Sequence, residues 1–239
     1  MLSSFFKSFF YLPLYNALVA LTNLVPGGNI GVAIILLTII VRLLILPISH
    51  RAIRTQRKMK ELEGEIKTIQ ERYKKNKEEQ AKQTMALYRE HKINPFSSVL
   101  SLLIQIPIIF ALYRVFLADQ SFDPSLLYSF INLPETVNHI FLGIDLTAKS
   151  YTLAVLAGLS QFFQTRLMMP KDKKEERKSD GPPSFKEQFA KSMNLQMKYF
   201  LPILIVFISF GLPSAVVLYW VASNLFMIAH ELLVRRSKG

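Results

Sequence analysis

The chain has 239 residues, about half of them hydrophobic (51%), a positive mean hydropathy and a net charge of +12. That balance argues against an ordinary soluble domain and makes membrane spans the first test. With no cysteine there is no disulfide, thiolate metal site or cysteine nucleophile.

Residues 1–29 contain "FFKSFFYLPLYNALVALTNLVPGG", apolar enough for an interfacial helix or a short span. Tyr11, Pro13, Tyr15, Asn16 and Asn23 favour a segment lying in the interface, with Phe5, Phe6, Phe9 and Phe10 dipping into the acyl boundary. A sixth span is the competing reading. A cleaved signal peptide is disfavoured by the single lysine and by the lack of a small-x-small site before Pro26.

Five later runs are long enough, with their flanks and at about 1.5 Å per residue, to cross roughly 30 Å of hydrocarbon. They cover residues 30–48, 97–117, 151–169, 198–212 and 213–234. The expected fold is therefore an all-α polytopic membrane protein with five transmembrane helices.

Between the first two runs, residues 49–96 read as an antiparallel helical hairpin. Met59, Leu62, Ile66, Ile69 and Tyr73 form a heptad seam, and Ala81, Met85 and Tyr88 offer a second after a polar turn around Asn76. Asn94 and Pro95 suit the N-cap and first turn of the next helix. The connection 118–150 is apolar and aromatic in pieces broken by Pro124 and Pro134, and is expected to lie on a membrane surface. Residues 170–197 include "KDKKEERKSDGPPS", lack apolar periodicity, and read as a mobile loop. Residues 235–239 form a short basic tail.

The basic residues are unevenly shared. Residues 50–96 hold thirteen Lys/Arg, 170–198 hold eight and the tail three, whereas 1–29 and 118–150 hold only Lys7 and Lys149. By the positive-inside rule the hairpin, the second basic loop and the C-terminus are cytoplasmic, and the N-terminus is outside.

Orientation assigns a depth to each intramembrane polar residue. Thr38, Arg42 and Ser49 share one face of the first run, and Ser98, Ser101 and Gln105 share a face of the second. Gln161, Gln164 and Thr165 do the same in the third. In the last, Trp220, Asn224 and Glu231 form a stripe with Ser223 and His230 beside it; the fourth contributes only Ser209. Apart from Ser209, these polar residues lie toward the cytoplasmic halves of their four helices. Such groups normally face protein or a wet cavity, so the expectation is a hydrophilic groove open to the cytoplasm and closed outside. Snorkelling is the competing account of Arg42, and snorkelling or lipid headgroup contact is the preferred account of Arg114.

No P-loop, HExxH, GxSxG or clustered carboxylate set is present, and the four histidines are scattered. No enzyme, cofactor, metal site or nucleic-acid role is expected. The rival functions are a small-solute or anion transporter using Arg42, disfavoured by the absence of repeat symmetry, and a scaffold that assembles membrane proteins without inserting them.

Four stretches, "TIIVRLLILP", "MALYREHKINPFSSVLSLLIQIPIIFALY", "FLGIDLTAKSYTLAVLAGLSQFFQTRL" and "LPSAVVLYWVASNLFMIAHELL", resemble the core of the YidC family of membrane protein insertases, the bacterial branch of the Oxa/Alb superfamily. The resemblance runs from about Phe5 to Arg236. It implies five core spans, an outside N-terminus, a cytoplasmic hairpin that meets clients, and a hydrophilic groove containing an arginine. Arg42 matches the groove arginine and Thr38 a groove threonine. Gln164, or Gln161, matches a polar groove position, and Trp220 with Tyr219 matches the aromatic site of the last span.

The implied partners are nascent membrane proteins, favouring acidic outer flanks, and the bilayer of a bacterial inner membrane. The ribosome and the Sec channel are further candidates. A large periplasmic domain, an extra first helix, a lipoprotein cysteine and a long ribosome-docking tail are not expected, so a strong tail-dependent ribosome tether is not expected either.

Overall fold

The computed structural model describes residues 4–74, 76–94, 97–117, 122–168 and 199–236; of these, the side chains of 49–54, 56–57, 60, 97–105 and 117 fall outside the description. The helices are α1 (Ser4–Phe6), α2 (Leu12–Leu24), α3 (Ile30–Glu61), α4 (Glu63–Arg72), α5 (Lys77–Glu90), α6 (Ser97–Leu117), α7 (Tyr151–Met168), α8 (Leu201–Ser209) and α9 (Ser214–Arg236). A π-helical turn, Lys7–Tyr11, joins α1 to α2. The expected loop 170–197 and the Pro95 position lie outside the described residues.

The expectation of an all-α chain needs one correction. Two-residue strands β1 (Ile140–Phe141) and β2 (Ile144–Asp145) pair antiparallel, Ile140 with Asp145 and Phe141 with Ile144. The two residues between them, Leu142 and Gly143, both have positive φ (50° and 79°). That is the backbone of a type I′ turn, whose twist matches the paired strands. The protein is mostly helical rather than wholly so.

Among the described residues, two helices are long and apolar enough to cross a membrane, Ile30–Ile48 within α3 and Ser214–Arg236. Neither α3 nor α6 stops at its internal proline, Pro47 or Pro107. In particular, α3 runs on to Glu61, so the hairpin's first helix continues the first apolar run without a break at residue 48. The chain forms two compact units, Met1–Arg42 with Phe110–Gly239, and Leu43–Ile109.

In the second unit, the break comes at Leu62, whose φ and ψ of −84° and 2° leave the helical region. Leu62, Leu87 and Ile93 are the buried core, with Met59, Ile66, Ile69 and Tyr88 packed on it. The first seam therefore packs as its spacing implies, apart from Tyr73, which is half-buried and outside that cluster. The second seam is corrected in part: Tyr88 packs on the core, but Ala81 is exposed, Met85 is half-buried outside that cluster, and the fully buried residue is Leu87.

The reason lies at the end of α5. Lys92 takes a left-handed φ of 52°, its N–H reaches Arg89 O at 3.0 Å, and Ile93 N–H reaches Tyr88 O at 2.8 Å. This is a Schellman ending, which satisfies carbonyls of the last turn and brings the following apolar residue back onto the helix. Ile93 and the last turn of α5 thus fill the core, and Ala81 is left outside. At the other end, Asn76 Oδ1 accepts Glu79 N–H at 3.1 Å, capping α5.

In the first unit, α7 packs against both α8 and α9 along small residues. Ala154, Ala157 and Gly158 are buried, and a Cβ on Gly158 would lie 2.2 Å from Val206 Cγ2 of α8. Small side chains let helices approach where lipid supplies no hydrophobic drive between them.

The 122–150 connection is bonded to α2 and to the start of α9. Tyr15 and Asn16 are buried. Asn16 Nδ2 donates to Leu126 O at 2.9 Å, Asn23 Nδ2 to Asn132 O at 2.7 Å, and Asn29 Nδ2 to Ile140 O at 2.9 Å. Asn138 and Ile30 continue the join through Asn138 N–H to Gly28 O and Ile30 N–H to Asn138 O. Ser214 and Ala215 donate their N–H groups to Ala148 O and Leu146 O. A connection so bonded carries its own buried residue, Leu146. Phe5 and Phe9 are exposed, while the ring of Phe6 meets Phe110 of α6 at 5.8 Å.

Candidate functional site

Arg42 is half-buried on α3, and its guanidinium reaches across to α9. Nε donates to Ser223 Oγ at 2.8 Å, and Nη2 donates to the same oxygen. Ser223 is only 2% exposed. Among the described residues, no carboxylate pairs with Arg42.

An arginine at the centre of an inserted helix costs about 2.5 to 3.5 kcal/mol, and one hydrogen bond to a charged group returns about 1.5 to 3 kcal/mol. The hydroxyl can offset most of the burial cost without neutralising the charge. Arg42 is therefore held in place and remains a cation.

Thr38, one turn earlier, behaves differently. It is fully buried, and its hydroxyl donates to Ile34 O at 2.7 Å within its own helix, the usual use of threonine inside an apolar helix. The Thr38–Arg42 face is real in spacing, but only Arg42 reaches another helix.

The other polar residues of α9 turn to α7. Asn224 Nδ2 donates to Ser160 Oγ at 3.0 Å, and Ser160 Oγ in turn donates to Ala157 O at 2.9 Å. Trp220 Nε1 donates to Gln161 Oε1 at 3.4 Å, and Gln161 Nε2 donates to Thr165 Oγ1 at 3.2 Å. At the end of the stripe, buried Glu231 accepts Arg235 Nε at 2.9 Å, and Arg235 also donates to Leu167 O in the last turn of α7. Cations are favoured near such C-terminal carbonyls.

The candidates thus divide. Arg42 meets α9 beside buried Tyr219; Asn224, Trp220 and Gln161 bond across the α7–α9 seam; and Gln164 is half-buried outside these bonds. The side chain of Gln105 lies outside the description. Hydrogen bonds between α7 and α9 thus engage Trp220, Gln161 and Asn224.

Ser223 and Ser160 are the partners that sequence reasoning undervalued. Serine in an apolar helix is usually satisfied by its own backbone, so its presence is a weak signal. The available clue to Ser223 was its place between Trp220 and Asn224.

A mostly helical chain with membrane-length apolar helices, whose buried polar groups bond one another between helices, has the construction of a polytopic membrane protein. Residues 21–239 match the family described as 60Kd inner membrane protein, and the chain belongs to it: this is the YidC/Oxa1 family of membrane protein insertases. The chain is 35% identical over 212 residues to the membrane protein insertase YidC of Clostridium tetani, covering 88% of this chain and 84% of that protein. It is 33% identical over 215 residues to the membrane protein insertase MisCA of Bacillus subtilis, covering 87% and 71%. Against YidC of Francisella tularensis subsp. novicida the identity is 35% over 211 residues, covering 87% of this chain and 33% of that longer protein. The protein is an insertase rather than a catalytic enzyme.

Proposed function

We propose that the chain receives hydrophobic segments of nascent membrane proteins at a polar site open to the cytoplasm and passes them sideways into the bilayer without nucleotide hydrolysis. Five helices cross the membrane, with residues 1–29 on the outer side and the 49–96 hairpin and the C-terminus in the cytoplasm. The uneven share of lysine and arginine supports that orientation.

The observation that carries the reading is the half-buried Arg42, fixed by Ser223 and lacking a carboxylate partner among the described residues. A held, unneutralised cation can attract an acidic residue in a client's flank. In a partly wet site the attraction is of the order of 1 to a few kcal/mol, enough for capture and weak enough for release. The membrane potential adds about 2.3 kcal/mol per charge per 100 mV, with the sign that draws an acidic flank outward. Burial of the client's apolar segment in lipid supplies most of the drive.

The hairpin is the recruiting element in this scheme. Its core is small, and Met59, Ile66, Ile69, Tyr73, Met85 and Tyr88 are only partly buried, leaving apolar edges that a hydrophobic segment can touch.

The test uses the full chain, alone in liposomes, with a short client made in a translation system. Arg42→Ala should lower insertion of single-spanning clients with acidic outer flanks by about three- to tenfold, the effect of roughly 1 kcal/mol. Undiminished insertion would remove the role given to Arg42.

A further inference from the structure

We propose that Ser223 is the positioning residue of the Arg42 site, holding the side edge of the guanidinium so that the adjoining end edge meets a client carboxylate at one fixed depth. The inference rests on the reading of Arg42 as a client-binding residue.

Arginine carries five N–H donors in a planar fork. Nε and Nη2, which make up the side edge of that fork, both donate to Ser223 Oγ. Among the described residues the end edge, with one N–H from each of Nη1 and Nη2, is left over, and it has the spacing that takes both oxygens of a carboxylate. A lone arginine on a flexible stem would meet an acidic residue over a range of depths. One tied by its side edge cannot.

Ser223 is itself immobilised. It is almost fully buried, and the next residue, Asn224, is bonded to Ser160 at 3.0 Å. One turn earlier, Trp220 is bonded to Gln161 at 3.4 Å. Turning α9 to withdraw Ser223 from Arg42 would break both bonds to α7. The depth of the guanidinium is thus set by the α7–α9 seam and transmitted through one hydroxyl.

The experiment steps a single aspartate along the flank of an otherwise neutral single-spanning client, and measures insertion at each position by the full chain in liposomes. The readout is the ratio between insertion at the best position and insertion two residues to either side, which is independent of how much protein is active. The unaltered protein should show one sharp optimum. Ser223→Ala should lower the ratio by about threefold, the effect of losing one hydrogen bond. Ser223→Thr, which keeps the hydroxyl, should restore it.

An unchanged ratio in Ser223→Ala, or a profile in Ser223→Thr as flat as that of Ser223→Ala, would overturn the proposal. Arg42→Ala in the same series separates the two ideas. If it leaves the aspartate preference intact, the reading of Arg42 itself fails; if it abolishes the preference while Ser223→Ala leaves the optimum sharp, only the role of Ser223 fails.

Discussion

Asn16 and Tyr128 are joined across 112 positions of sequence: Asn16 Oδ1 accepts the backbone N–H of Tyr128 at 2.7 Å. The same amide donates from Nδ2 to Leu12 O and Leu126 O, both at 2.9 Å. One side chain thus supplies the partners of two backbone groups in a connection that lacks regular ladder bonds at that point. Asn16→Ala should destabilise the protein by about 2 kcal/mol, because buried backbone groups left unpaired cost about 1 to 3 kcal/mol. A lower thermal midpoint in detergent, with faster proteolysis within residues 122–150, is the expected result.

Gly27 and Gly28 give a paired test. Both have positive φ, 70° and 61°, but a Cβ on Gly27 meets nothing within 4 Å, whereas one on Gly28 would lie 1.9 Å from Thr136 O. Gly27→Ala should cost about 1 kcal/mol, the left-handed penalty alone. Gly28→Ala should cost about 2 kcal/mol more, because a backbone carbonyl must move. Equal thermal shifts for the two variants would contradict the close approach.

Lys92 occupies the left-handed position of the Schellman ending of α5 without being glycine. Lys92→Gly should stabilise the hairpin by about 0.5 to 1 kcal/mol, since glycine takes that conformation without steric cost. Slower hydrogen exchange of the Ile93 amide, whose bond to Tyr88 O closes the motif, is the measurement.

Asp145 Oδ1 accepts from Thr147 Oγ1 at 2.7 Å and from Thr147 N–H at 2.8 Å. The hydroxyl first, then the amide, hold its carboxyl below the usual carboxylate range. A depressed carboxyl contributes stability above its unfolded value, near 3.9, and loses it as pH falls through the folded value. The turn after β2 should therefore loosen only below about pH 4. Thr147→Val should raise the Asp145 midpoint in an NMR titration, by removing the hydroxyl donor.

Much of the fold was legible because its signals are local. The apolar runs are where α3, α6, α7 and α9 form, and the polar turn at Asn76 is a true N-cap. Leu62, Ile66 and Ile69 pack as their 3.6-residue period implies. Of the second seam only Tyr88 packs on that core, because a helix ending outweighed periodicity: the left-handed Lys92 brought Ile93 into the core, and Ala81 was left exposed. At the candidate site, Arg42 was legible from its cost alone, since a charge in an apolar run demands a partner. Thr38 is buried, and its hydroxyl is satisfied one turn back, on Ile34 O.

By itself, the sequence determined which segments are apolar helices, where the cations concentrate, and that Arg42 requires something to bond. It could do so because hydrophobic period, capping residues and charge are properties of neighbours along the chain. Only the tertiary structure decided that Ser223 bonds α3 while adjacent Asn224 bonds α7, and that Asn16, Asn23 and Asn29 bond a connection about 110 residues away. Successive residues on a helix point about 100° apart, so which neighbour each one meets depends on how helices distant in sequence pack around it.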